Sequence, residues 1–208
     1  MLMKKSFILL AAAALTLVAC NKTVTVAENE GDAISFRPLM TNLTKVSTTA
    51  DVTTANLTSF TVNAKIASSE TSYFDNAVYT GSTGSTFTCT EKYYWPATES
   101  LDFYAYSYTD NASQVSVTNY KTIVVTPTSG TDPANQVDLV YASTKGKNKA
   151  SSGNSGVTLN FRHTGAKIVC KVLNTSNSMR FVIEGWKVGY LYPNGTFVFA
   201  DSNTDGII

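Results

Sequence analysis

Few residues of this chain could do chemistry, and they lie far apart. Cys20 ends an uncharged run from Phe7 to Ala19 that follows Lys4 and Lys5. A thiol placed there suits covalent modification at a membrane surface. The single histidine, His163, rules out a His-based metal cluster, and any Ser–His–Asp triad would have to use it. It sits on the apolar side of "VTLNFRH" beside Phe161, so a hydrogen-bonded core histidine is the preferred reading. "DSNTDGII" puts Asp201, Asn203 and Asp205 at the first, third and fifth positions of a calcium loop, with Gly206 at the sixth and Ile208 at the eighth. A strand pattern precedes it instead of a helix, and the sequence stops before the twelfth position, where such a loop has its bidentate Glu. Asp, Asn and Gly also serve any hairpin turn, so a turn is expected over a metal site. No Gly-rich loop opens a helix after a strand. Neither catalytic residues nor a cofactor are expected.

The thirteen residues from Phe7 to Ala19 fit the core of an export signal and are too short to span a bilayer. The closing "LVAC", Leu17 to Cys20, resembles the bacterial lipobox, in which cleavage before the cysteine accompanies attachment of lipid to its thiol. Two or more acyl chains anchor a protein stably where one does so reversibly. Asn21 follows in place of the Asp that retains some lipoproteins at the inner membrane, which favours the outer membrane. Residues 1–19 are expected to be the signal peptide and residues 20–32 a polar tether. Losing Lys4 and Lys5 takes the side-chain charge from +1 to −1. With so little charge and no basic block, nucleic acid is excluded as a partner.

The remaining elements must be strands. Apolar residues make up 43% of the chain, and its polar part is rich in Thr, Ser, Asn and Gly. "SFTVNAKI" places Phe60, Val62, Ala64 and Ile66 on one face, while "LDFYAYSY" places Leu101, Phe103 and Ala105 opposite Tyr104, Tyr106 and Tyr108. "ISFRPL", "VSVTNYKTIVVT", "VDLVYAS", "VTLNFRH", "AKIVCKVL", "MRFVIEGWKVGYL" and "GTFVFA" also alternate. The inward set changes parity between His163 and Ala166, which predicts a bulge or tight turn at Thr164–Gly165. Cys89 and Cys170 share faces with apolar neighbours and are expected to be core thiols, not a disulfide. An all-β fold follows, with a domain boundary in the Ser- and Gly-rich segment 143–156. Residues 33–150 form the first domain and residues 151–208 the start of a second. The three tyrosines could stack sugars or lie beneath a second layer, and the covered reading is preferred.

Four pieces carry a family resemblance: "LVAC", "AISF", "YYWPATESLDFYAYS", and "VDLVYAS" followed by "VTLNFRHTGAKIVCKV". Together they resemble the fimbrillin-like lipoproteins that build type V pili. The resemblance implies Greek-key β-sandwich domains of transthyretin-like or immunoglobulin-like type. It also implies a lipid-anchored precursor at the outer membrane, supporting adhesion after assembly. A trypsin-like protease would remove its first strand, and a strand from the next subunit would fill the groove by β-augmentation. Family members typically run longer, so the second domain is expected to be incomplete. The alternative function is a lipid-anchored binding module for a host protein or glycan.

The first strand is expected near residues 33–39, with Ile34, Phe36 and Leu39 contributing burial. Between the tether and Phe60, Arg37 and Lys45 are the basic residues available for processing. Arg37 lies within the strand and precedes Pro38, so Lys45, in a Thr- and Asn-rich stretch, is the expected cleavage site. Replacing the lipid-bearing thiol, Cys20→Ala, should abolish incorporation of a palmitate analogue and release the protein from membranes. Undiminished labelling would refute lipidation at this residue.

Overall fold

Strands with period two need partners for their backbone and a layer to cover each apolar face. A computed structural model of the chain describes residues 33–40, 52–53, 55–69, 71–82, 84–108, 112–126, 137–152, 155–165, 168, 170–185, 189 and 195–199. Ten strands run through them: β1 (Phe36–Met40), β2 (Ser59–Ile66), β3 (Ser72–Thr80), β4 (Thr88–Cys89), β5 (Leu101–Tyr108), β6 (Val115–Asn119), β7 (Thr122–Val125), β8 (Leu139–Lys147), β9 (Val157–His163) and β10 (Gly195–Val198). The only α-helix among the described residues is one turn, Lys149–Ser152. The fold is all-β, consistent with a β-sandwich.

Seven strands form one sheet in the order β1-β9-β8-β5-β2-β3-β4. Its two ends meet, because β1 also bonds to the chain beside β4: Phe36 bridges Phe87 and Ala33 bridges Tyr94. The curled sheet encloses the main core, in which Phe36, Val62, Tyr79, Phe87, Leu101, Phe103, Ala105, Val140 and Leu159 are fully buried. The inward faces expected for β2 and β5 are the ones observed.

The outer face of β5 is buried as well. A second sheet, β10-β7-β6, lies over it, and Ile123 and Phe199 pack with Tyr104, Tyr106 and Leu139. Burial on both sides explains the aromatic density of β5: each parity of the strand faces a different core. The covered reading of the tyrosines is therefore correct, and no exposed stripe exists for a sugar to stack on.

Three register shifts let the main sheet bend, and two of them centre on a residue with positive φ. Between β2 and β3 the register slips at Asn76, whose φ of 54° is left-handed. Its amide donates to the side-chain oxygen of Asn63 at 2.7 Å, and Asn63 is itself buried. Between β5 and β8 the slip falls at Gly146, with φ of 64°, whose amide donates to buried Asp102 at 2.8 Å. In each case a polar side chain on the neighbouring strand satisfies the donor that the bulge takes out of the ladder.

Several expectations change. β8 continues to Lys147, inside the segment read as a linker, and β9 pairs with both β8 and β1. The sheet built from residues before 150 thus includes residues 157–163. The described parts of "AKIVCKVL" and "MRFVIEGWKVGYL", expected as strands, have no strand structure, and Ile168, Val172, Leu173, Phe181, Val182 and Ile183 are exposed. Their alternation is real, but among the described residues no ladder receives it. Cys170 is likewise exposed, whereas Cys89 packs against the main core, and both are unpaired thiols. β9 ends at His163, where the chain bends at Thr164–Gly165 and Thr164 donates to the Leu139 carbonyl at 2.9 Å. His163 accordingly closes β9 as a hydrogen-bonded residue, 2.8 Å from the Asp138 carboxylate.

The Tyr79 hydroxyl lies in the main core with no hydrogen-bond partner among the described residues. Burial, then the nearby Cys89 and Tyr93, push its phenol far above the ordinary tyrosine range. In the unfolded chain that phenol ionises near pH ~10. The folded protein therefore holds its proton where the unfolded one loses it, and stability falls as pH rises above about 10. Tyr79→Phe should keep stability at neutral pH or raise it by up to about 1 kcal/mol, and should soften the alkaline decline. Urea midpoints followed from neutral to alkaline pH check this; a clear loss at neutral pH would mean the hydroxyl has a partner.

Candidate functional site

The segment 33–40, "AISFRPLM", alternates in burial: Ile34 and Phe36 are buried, Pro38 and Met40 partly so, and Arg37 and Leu39 exposed. Leu39 was expected to face inward. At 47% exposed it does not, because it has the opposite parity to Ile34 and Phe36. Met40 packs against the core in its place.

The backbone of this segment is bonded along both sides. On one side β1 runs parallel to β9, from Phe36 opposite Val157 to Met40 opposite Phe161, and Val157 donates to the Ser35 carbonyl at 2.8 Å. On the other side Ile34 donates to the Tyr93 carbonyl at 2.7 Å, and Phe36 and Phe87 exchange bonds of 3.1 and 2.7 Å. The even-numbered residues carry this second ladder. Pro38 has the same parity and no N–H, so the pairing stops at Phe36.

Phe36 reaches the centre of the core. Its ring centroid lies 4.6 Å from Tyr79, 5.1 Å from Phe103 and 6.2 Å from Phe60, each in edge-to-face geometry. The first half of the aromatic run forms the adjoining wall. Tyr93 stacks on Phe74 at 4.2 Å, Trp95 meets Phe103 edge-on, and the Tyr73 hydroxyl donates to the Tyr94 carbonyl at 2.7 Å. Burial and the Glu91 carboxylate beside it push the Tyr93 phenol up to about 12. Removing β1 would open a groove lined by aromatic rings and edged by two rows of backbone donors and acceptors.

One carboxylate ties down the rim. Asp138 accepts from the Val52 amide at 2.9 Å with one oxygen and meets His163 with the other. It joins the start of β8, the end of β9 and the chain entering β2. This is an anchoring contact.

Among the expected site residues, Cys20 and Lys45 lie outside the described residues, as does the Asp201–Ile208 motif. Arg37 lies in β1 with its side chain exposed and its guanidinium donating to Thr158 Oγ1 at 3.2 Å. Among the described residues no cluster of His, Cys, Asp or Glu could hold a metal, and no helix is long and apolar enough to cross a membrane. Sequence reasoning missed Tyr79, Phe87 and Gly156 as groove residues. The alternation of β3 could have flagged Tyr79, and alternation with Cys89 put Phe87 on an apolar face without naming the groove; no period marks Gly156.

No curated protein and no solved structure matches the chain. The family model described as fimbrillin-like matches residues 41–206, from just after β1 nearly to the end of the sequence. That span covers most of the chain, all the main sheet except its first strand, and the second sheet as well; the chain belongs to the fimbrillin-like family.

Proposed function

We propose that this chain is a structural subunit or accessory component of a type V pilus, made as a precursor anchored to the outer membrane by lipid on Cys20. Its first strand is a temporary occupant, removed by proteolysis and replaced by a strand of the next subunit. The observation that carries this reading is the double-sided seating of β1. A segment at the start of the mature chain fills the centre of the core and bonds along both sides of a groove. Family membership supports the pilus-subunit role, and "LVAC" supports the anchor.

The seating of β1 also favours Lys45 over Arg37 as the processing site. The Arg37 peptide is held in a ladder and followed by Pro38, so it cannot readily extend into a protease cleft. Lys45 lies in sequence after β1 and before Val52, the anchored start of the next described segment. Cleavage there frees residues 20–45 with the strand and the lipid. Exposing the Ile34 and Phe36 sites costs about 3–6 kcal/mol, at roughly 1.5–3 kcal/mol for each large apolar side chain. The cut subunit is therefore metastable and avid for a strand.

Limited digestion with trypsin, followed by N-terminal sequencing, should give a new terminus at Val46 and leave Arg37 intact. The digested protein should then form ladders on gels run without heating. A terminus at Pro38, or digested protein that stays monomeric at high concentration, would overturn the reading.

A further inference from the structure

The shape of the β1 groove says what can replace β1, and this step rests on the strand-replacement reading above. The groove treats successive residues differently. At position 34 a large aliphatic side chain is buried beside the Tyr93 carbonyl that receives its amide. At position 35 the strand passes close to the backbone of Gly156. Gly156 has φ of 78°, a conformation that side chains rarely adopt. A Cβ added there would lie 3.2 Å from both the Ser35 carbonyl oxygen and Ser35 Oγ, and 3.3 Å from Thr86 Cγ2. Ser35, half-buried, thus rests on a ledge formed by the bare backbone of Gly156. At position 36 three rings meet the incoming ring edge-to-face at interplanar angles of 77°, 89° and 84°. At position 37 the side chain is exposed and donates to Thr158 across the ladder.

We propose that this groove selects its replacement strand by a three-residue pattern: a large aliphatic side chain, then a small one, then phenylalanine, seated parallel to β9 as β1 is. The occupant is an extended segment of another pilus subunit carrying that pattern. The backbone ladders accept any extended chain and supply affinity. The side-chain order supplies the selection, as in other strand additions where alternate pockets discriminate. The small middle residue is the sharpest filter. It lies half-buried over Gly156 instead of in the core, so a large hydrophobic residue there gains no deep burial and crowds the close approach of the two strands. Residue 37 contributes nothing to the choice.

The test uses the full chain nicked between residues 41 and 51, with a fluorescent label on the seated first strand. Unlabelled peptides spanning residues 33–40 compete for the groove. The native peptide and its Arg37→Leu form should displace the label within about threefold of one another. The Ser35→Leu and Phe36→Ala forms should be at least about tenfold weaker, a gap of about 1.4 kcal/mol or more. Displacement by Ser35→Leu equal to the native peptide would overturn the pattern. If no peptide displaces the label, the native one included, strand replacement itself fails. The pattern is then decided in the uncut protein. There a lowered urea midpoint for Ser35→Leu beside an unchanged one for Arg37→Leu supports it, and an unchanged midpoint for Ser35→Leu overturns it.

Discussion

Phe36 sits where the two ends of a seven-stranded sheet meet, and the rest of the molecule is arranged around that closure. A curled sheet leaves two edges of unpaired backbone unless something spans them. β1 spans them with short ladders on each side and puts one ring into the centre of the enclosed space. Burial and hydrogen bonding therefore depend on the same residues. Loss of that segment removes both together, so no partial compromise is available in which the ring leaves and the ladders stay.

The second constraint is that β5 has no solvent face. Its inner side belongs to the enclosed core and its outer side to the layer formed by β6, β7 and β10. Polar groups on the outer side are then under cover: the Tyr104 hydroxyl has no hydrogen-bond partner among the described residues, while others find one. Asp102 and Asn63 do so by holding the amides of two bulges. Lysines at the rim lie against tyrosine rings: Lys65 and Lys121 are 5.4 and 5.7 Å from the Tyr120 centroid, and Lys145 is 5.8 Å from that of Tyr104. Lys65 is buried and Lys121 and Lys145 half-buried, so these long side chains cover aromatic surface.

Period-two patterning made β1, β2, β5, β8, β9 and β10 readable in the sequence, because alternation states a strand's two faces directly. It also separated the two sides of β5. Leu39 was misplaced because hydrophobicity outweighed parity; counting from Phe36 would have put Met40 inside. Residues 168–185 show the opposite failure. Alternation there describes what a strand would look like, but a strand also needs a neighbour, and a local pattern does not name one. The groove's finer features were unreadable for a related reason. The ledge at Ser35 depends on Gly156, 121 positions away, and on a backbone angle that composition does not encode. Cys20 and Lys45 were legible as chemistry, from a signal pattern and a cleavable residue, and not as structure.

The parallel pairing of β1 with β9 carries a consequence for synthesis. Phe36 and its register partner Val157 are 121 residues apart, and the strands that join them in the sheet all lie between. At ~5–20 residues per second, the ribosome delivers β9 roughly 6–24 s after β1. Throughout that interval an apolar segment made early has no permanent place. Closure is thus a late event governed by non-local contacts, the kind that fold slowly. A chaperone that shields a short aliphatic–aromatic stretch during those seconds would protect this protein at its most aggregation-prone stage.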